Sequence, residues 1–413
     1  MYTNTSESFN NLITRSGRTF RARILLGDNV LEGLSSIKTS SGSNNGEALT
    51  LGSTISQMVE ITMDTPDVSL AGQEFELQIG LKLSEDNYEY IPMGLFTPEK
   101  LVNKQKKTSF TGYDRMMKLS GSYESILAEE TDTVSVLNEI SNKTGVEIST
   151  AGLVGISMKK PVGYTYREAL ACIAQLYGCF ANVNRTGTIE LQFWEDAGYV
   201  LTADAGINGF EHGETEFTIG KITCVTSCDE VGNSNTITSG NGTKGIVISN
   251  EFMTQEILDG IYEKIKGFSY TPVNCPVILG DPRLEPWDFI TIIDAEGNEY
   301  KTPVMSLVFE YDGGLSAEIT STVAEESEEE NDYKGPMQQL QEKVQGLKTT
   351  LASFRKEFKS PNVGARNLIR NSKTLDFGDY YFETGMSGNL LRSSDGLLLK
   401  DINGIYLTVK ESD

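Results

Sequence analysis

The property that most restricts this chain is a period of two. In ITRSGRTFRARILL (13–26), SQMVEITMDT (56–65) and FELQIGLKL (75–83), apolar and polar residues alternate, and Gly, Asn, Asp and Pro separate the runs. Such a pattern puts its apolar side chains on one face of a strand and cannot make a helical stripe. The section from about Thr14 to Leu119 therefore reads as an antiparallel barrel or sandwich, with Gly-rich SSGSNNGEALTLGS (40–53) as a loop.

The texture changes over 120–198. DTVSVLNEISNKTG predicts a short helix capped by Asp132 or Thr133, with Val134, Leu137 and Ile140 on one face and Gly145 as its stop. TYREALACIAQLYG predicts a second. Thr165 and Glu168 stand at capping-box spacing, Leu170, Ile173, Ala174 and Tyr177 share a face, and Gly178 ends it. FANVNRTGTIELQFW alternates on both sides of a Gly-containing turn, as a hairpin does. Together these make a small α/β lobe. Strands return from Tyr199 to Ile319, interrupted by a helix in TQEILDGIYEKIKG with Ile257, Leu258, Ile261 and Ile265 on one side.

AEESEEEND, in the segment 323–335, repels itself and has nothing to bury, so it is expected to be a solvated linker. The next segment, 336–360, spaces Met337, Leu340, Val344, Leu347, Leu351, Phe354 and Phe358 by alternating threes and fours. A 3.5-residue period keeps a narrow seam against a partner helix, and the partner expected is another copy of the chain. Gly346 weakens the helix by about 1 kcal/mol, so it needs that partner to form. A 22-residue stalk of this kind is about 33 Å long. In 361–413, YYFETG and the related units Asp395-Gly396 and Asn403-Gly404 predict short strands and turns of a β tip or adaptor.

A formal net charge of −23 argues against a grip on phosphates, and no stable nucleic-acid binding is expected. No run reaches the roughly 18 apolar residues of a membrane span. MYTNTSESFNN has neither the basic nor the apolar segment of a signal peptide, so the chain is expected to be made and kept inside a cell at first. Five cysteines, an odd number spread along the chain, do not make a disulfide framework and are expected to be reduced.

Several segments together resemble the hub family at the tip of long phage tails: the N-terminal region of tail-associated lysins, prophage minor structural proteins and baseplate hubs. They are LTLGSTISQMVEITM, YIPMGLFTPEK with TSFTGYDRMMKL, TYREALACIAQLYGCFANVNRTGTIELQF, and MTQEILDGIYEKIKGFSYTPVNCPVILGDPRLEPWDFITI with GGLSAEITS, over about residues 10–322. The chain departs from the family at Trp287, where a Gly is usual. The resemblance implies a mainly β, α+β fold: a barrel-like domain at 1–119, the α/β lobe at 120–198 and a second barrel-like domain at 199–322. It also implies a homotrimer that turns the sixfold tail tube into threefold symmetry, with the coiled coil as a three-stranded stalk. The partners implied are the distal tail or baseplate protein and tail tube above, the tape measure protein, and a fibre, tip or receptor-binding protein below. The location is the virion tail tip, assembled in the bacterial host cytoplasm. Three copies with acids facing a lumen would discourage DNA from adhering as it leaves.

Many such hubs carry a peptidoglycan-cleaving domain, so a tail-associated hydrolase is the rival reading. A cell-wall zinc peptidase needs two or more histidines, and this chain has only His212, which reads as a turn or surface residue. Cys224 and Cys228 lie in a strand-like run with no second pair to complete a zinc site, and no nucleophile elbow or EF-hand is present. No catalytic, metal or cofactor residue is expected. A third reading is glycan or receptor binding through residues 362–413, where Tyr380, Tyr381, Phe382 and Tyr406 offer aromatic faces.

Overall fold

The computed structural model describes residues 1–321 apart from 45–48, 65–69, 71, 86, 105, 208 and 229–233, and beyond them the backbone of three short strands. The chain divides into two compact units, Met1–Gln338 and Gln339–Asp413.

The alternating runs form strands as expected. In β1 (Phe20–Leu26), Phe20, Ala22 and Ile24 are buried. After β2 (Asn29–Leu31) and β3 (Leu34–Gly42), β4 (Met58–Met63) buries Val59, Ile61 and Met63. β5 (Phe75–Ser84) buries Phe75, Leu77, Ile79 and Leu81. β6 (Asn87–Lys104) pairs with β5 as far as Phe96 and with β7 (Lys107–Tyr113) from Thr97 onward. One long strand thus turns a corner. The pairing register breaks beside Gly94, whose φ of 135° is open to glycine and whose missing Cβ makes room for the Phe96 ring.

These strands do not stand alone. Ser306–Tyr311 pairs antiparallel with β3, from Ser306↔Gly42 to Tyr311↔Ile37, and adds Leu315–Ser321, Val273–Val277 and Glu211–His212 in turn. Together with β1–β7 they make one 11-stranded sheet that ends at β2 on one side and at Glu211–His212 on the other. No sheet among the described residues closes on itself, so the barrel-like bodies expected from the resemblance are open here. Both outer strands are only two or three residues long, which leaves little edge for further pairing.

Among the described residues four α-helices accompany the sheets. α1 (Glu7–Ile13) was not legible in the polar start of the chain; Ser6 caps it and Phe9 and Ile13 bury it. α2 (Thr133–Thr144) starts at the Asp132 cap and stops at left-handed Gly145. Its buried face carries Val136, Leu137 and Ile140, so Val136 takes the place foreseen for Val134. α3 (Tyr166–Leu176) has the full Thr165/Glu168 capping box. α4 (Gln255–Ile265), capped by Thr254, buries Leu258, Ile261 and Ile265. The hairpin Phe180–Val183 with Ile189–Gln192 forms in the register Phe180↔Gln192.

Two apolar cores result. One gathers β1–β7 residues with Val273, Cys275, Ile290, Leu307 and Phe309, while the other joins α2, α3 and the hairpin to Ile222, Ile248 and α4. In the second unit, Phe382–Met386, Gly388–Leu391 and Thr408–Val409 form a three-stranded antiparallel sheet, within the segment read as a β tip.

Candidate functional site

The sequence-derived interaction residues fall almost wholly outside the described residues. Met337, Leu340, Val344, Leu347, Leu351, Phe354 and Phe358 lie there, as do Tyr380, Tyr381 and Tyr406. The backbone of Phe382 is described and pairs with Leu391.

What the structure brings together instead is a junction of the three sections. The hairpin turn is folded by Asn184, whose Oδ1 accepts from the backbone N–H groups of Thr186 and Thr188, and by Gly187 at φ 86°. That turn aims Arg185 inward, where its side chain is only 10% exposed. Its Nε donates to Glu285 at 2.8 Å, Nη1 to the Pro92 carbonyl at 2.7 Å, and Nη2 to the carbonyls of Arg283 and Leu284 at 3.2 and 3.0 Å. One planar fork thereby ties the lobe to both β sections, which Lys cannot do with a single ammonium.

Trp194, at the end of the same hairpin, is the second tie. Its indole N–H reaches the Ser43 hydroxyl at 3.0 Å and the Val304 carbonyl at 3.4 Å. Its ring stacks on Phe268 at 5.8 Å and 17°, and packs against Phe180 and Phe193. Trp287, where the resembled family usually has Gly, lies partly buried against this same core, and its carbonyl accepts from the Glu195 N–H. Neither Arg185 nor Trp194 has a local sequence signal for these partners, which come from positions about 90 to 150 residues away.

The loop before α2 is fastened by a buried carboxylate. Glu139, 8% exposed, accepts from the Tyr123 hydroxyl at 2.5 Å, the Ser125 hydroxyl at 2.7 Å and the Ile126 N–H at 2.9 Å, and pairs with Lys143 at 3.1 Å. Burial works to raise its pKa, but these donors outweigh it and hold the group down at about 2. Since the folded value lies below the ordinary carboxylate range, the stabilisation is whole above about pH 4.5 and is lost as pH falls toward 2. Glu139→Gln is expected to cost about 2–3 kcal/mol at neutral pH, read by urea denaturation, and to flatten the stability profile across that acid window. A variant as stable as the parent at pH 7 would show that the loop is held by something else. Asp114 behaves in the opposite sense. Its burial pushes it up to about 6, against hydrogen bonds from Ser56, Gln57 and Met116.

The large sheet also presents a polar face. Ser36, Lys38, Glu60, Thr62, Ser109 and Thr111 alternate with the buried residues of β3, β4 and β7 and line a shallow groove of about 570 Å³. Lys38 is held by Glu310 at 2.8 Å, and the Thr62 and Ser109 hydroxyls pair at 3.1 Å. His212 is exposed at the sheet's last strand, with its ring 4.5 Å from that of Tyr300. Among the described residues no cluster of three or more His, Cys, Asp or Glu could hold a metal, and no helix is long and apolar enough to cross a membrane. Cys172, Cys179, Cys224 and Cys275 are free thiols, and burial pushes those of Cys224 and Cys275 up to about 12.

Comparison with solved structures places this architecture. The fold matches that of a tail protein. The tail protein from Neisseria meningitidis MC58 is similar over 73% of this chain and 95% of its own, with a TM-score of 0.51 and 13% identity. The 43 kDa tail protein of prophage MuSo2 from Shewanella oneidensis is similar over 74% of this chain and 98% of its own, with a TM-score of 0.45 and 14% identity. At 13% identity what is shared with the Neisseria meningitidis protein is the fold. No family model matches the chain. No curated protein matches it either.

Proposed function

We propose that the protein is a structural hub at the tip of a phage or phage-derived tail, a homotrimer that joins the sixfold tail tube to a threefold tip and host-attachment apparatus. Its work in this reading is assembly geometry rather than catalysis. The observation that carries it is the extent of the fold likeness, 95% of the Neisseria meningitidis tail protein being covered by the part of this chain that matches. The heptad seam from Met337 to Phe358 supports self-association, because a stripe that narrow is covered by a helix of a sister subunit. The lobe faces outward to neighbouring tail proteins, and the stalk carries threefold symmetry down to a fibre or receptor-binding protein.

The polar sheet face suits the wall of a central passage. Its exposed acids Glu60 and Glu318, beside the mutually neutralising pair Lys38–Glu310, repel a polyanion moving past. A trimer in which this face pointed away from the axis would remove that part of the reading.

The stalk supplies the test. Leu347→Asp with Leu351→Asp buries unpaired charge in the seam and is expected to weaken the trimer by several kcal/mol, shifting the native mass of the full chain toward a monomer of 45.4 kDa. Unchanged mass together with unchanged incorporation into tails would defeat the proposal.

A further inference from the structure

Four arginines, Arg15, Arg18, Arg21 and Arg23, fall within residues 14–26 with no acid among them, in a chain whose formal net charge is −23. The other described arginines are engaged. Arg115 holds Glu74 at 2.7 Å, Arg283 holds Asp281 at 2.6 Å, Arg185 holds Glu285, and Arg167 donates to the Thr54 carbonyl at 2.6 Å. Arg23 donates to Gln78 at 2.7 Å, and Arg21 stands 3.9 Å from Glu32. Among the described residues Arg15 and Arg18 bond no carboxylate.

Both sit where α1 gives way to β1. The helix is capped at Thr14, the Arg15 N–H closes on the Leu12 carbonyl, and Gly17, at φ 77°, turns the chain so that the Thr19 carbonyl accepts from the Lys82 N–H. This leaves a pocket of about 250 Å³ whose charged lining is Arg15, Arg18 and Lys82. Ser16, Thr19 and Ser84 add hydroxyls, leucines of α1 and β5 supply an apolar wall, and no acid lines it. Arg18 is its fixed member. Its Nη1 donates to the Ile13 carbonyl at 2.9 Å and the Gly280 carbonyl at 2.8 Å, and its guanidinium lies 5.0 Å from the Phe20 ring. Its Nε is buried with no hydrogen-bond partner. Burial lowers its pKa, and the charges of Asp281 and Tyr199 offset that only in part. The fold thus holds a half-buried cation that no carboxylate neutralises, beside two more that form no ion pair among the described residues.

We propose that this pocket binds a phosphate group, with the Arg18 guanidinium as the fixed donor, Arg15 and Lys82 meeting the oxygens from the rim, and the hydroxyls of Ser16, Thr19 and Ser84 completing the shell. A tetrahedral oxyanion presents acceptors in several directions at once, which a guanidinium fork, an ammonium and hydroxyls can share. A lone carboxylate or a chloride ion would use fewer of these donors. The acidic remainder of the chain repels anions at long range, so binding here rests on the short contacts of the pocket itself. A free phosphate ion and the phosphodiester of a polymer offer the same kind of oxygens, and they differ in charge and in how many oxygens are free.

The test is isothermal titration calorimetry of the full chain near neutral pH with inorganic phosphate and, separately, with dimethyl phosphate. Inorganic phosphate is expected to fill one saturable site per chain. Arg15→Gln and Lys82→Gln each remove one rim cation and are each expected to weaken binding about tenfold, the loss of one charge-assisted hydrogen bond. Circular dichroism matching that of the parent protein separates this from a loss of fold. Dimethyl phosphate binding as tightly as inorganic phosphate assigns the site to a phosphodiester chain, and binding that is weaker or absent assigns it to the free ion. If neither anion binds saturably the proposal is overturned, and so it is if either variant leaves binding intact. Neither result touches the hub reading, which the mass of the stalk variant decides separately.

Discussion

Trp194→Ala is expected to lose about 3–5 kcal/mol of stability, the largest loss for any single side chain considered in this molecule. The indole is 5% exposed, fills the space between Phe180, Phe193 and Phe268, and satisfies Ser43 and Val304 with its N–H. Truncation leaves a cavity at the place where the lobe meets both β sections, so the loss should be felt as one cooperative transition shifted to lower denaturant rather than as a separate melting of the lobe. Trp194→Phe keeps most of the ring contact and gives up the hydrogen bonds, for about 1–2 kcal/mol. Urea denaturation followed by far-ultraviolet circular dichroism measures both. A Trp194→Ala protein within 1 kcal/mol of the parent, on the same scale, would show that the space is refilled by its neighbours.

Arg185→Ala is expected to cost nearly as much, about 3–5 kcal/mol, for a different reason. Removing the guanidinium leaves Glu285, 12% exposed, without its 2.8 Å partner, and strips the carbonyls of Pro92, Arg283 and Leu284 of a donor. Two further variants separate charge from shape. Adding Glu285→Gln to Arg185→Ala should recover part of the loss, because the buried carboxylate otherwise keeps only the Met1 ammonium, 3.3 Å away, against its charge. Arg185→Lys should recover little, since one ammonium cannot meet four acceptors in a plane. If Arg185→Lys matched the parent protein, the fork geometry would be irrelevant to the junction.

Legibility in this chain followed sequence distance. The Asp132 cap, the Thr165/Glu168 box and the turns at Gly145 and Gly178 are local devices, each acting within about four residues, and all of them are in place. The alternating runs likewise put Phe75, Leu77 and Ile79 inward, because the pleat alone decides which face a side chain takes. α1 escaped because its apolar residues, Phe9 and Ile13, are too few to show a period in a polar segment. The seam between β3 and Ser306–Tyr311 escaped because an edge carries no mark naming its partner some 270 residues on; both strands satisfy the same alternation that many others satisfy. The candidate site divides the same way. His212 reads as a turn residue, and its contact with Tyr300 is made only when two sheets converge.

By itself the sequence determined which stretches are strands, where three helices begin and end, and which side of each element is apolar, since these depend on nearest neighbours and a fixed repeat. Only the tertiary structure decided that the first and third sections share one open sheet and one core, and that Arg185 and Trp194 bind the lobe to both. Those choices rest on which distant surfaces bury the most apolar area and satisfy the most polar groups together, a comparison over the whole chain that no local pattern contains.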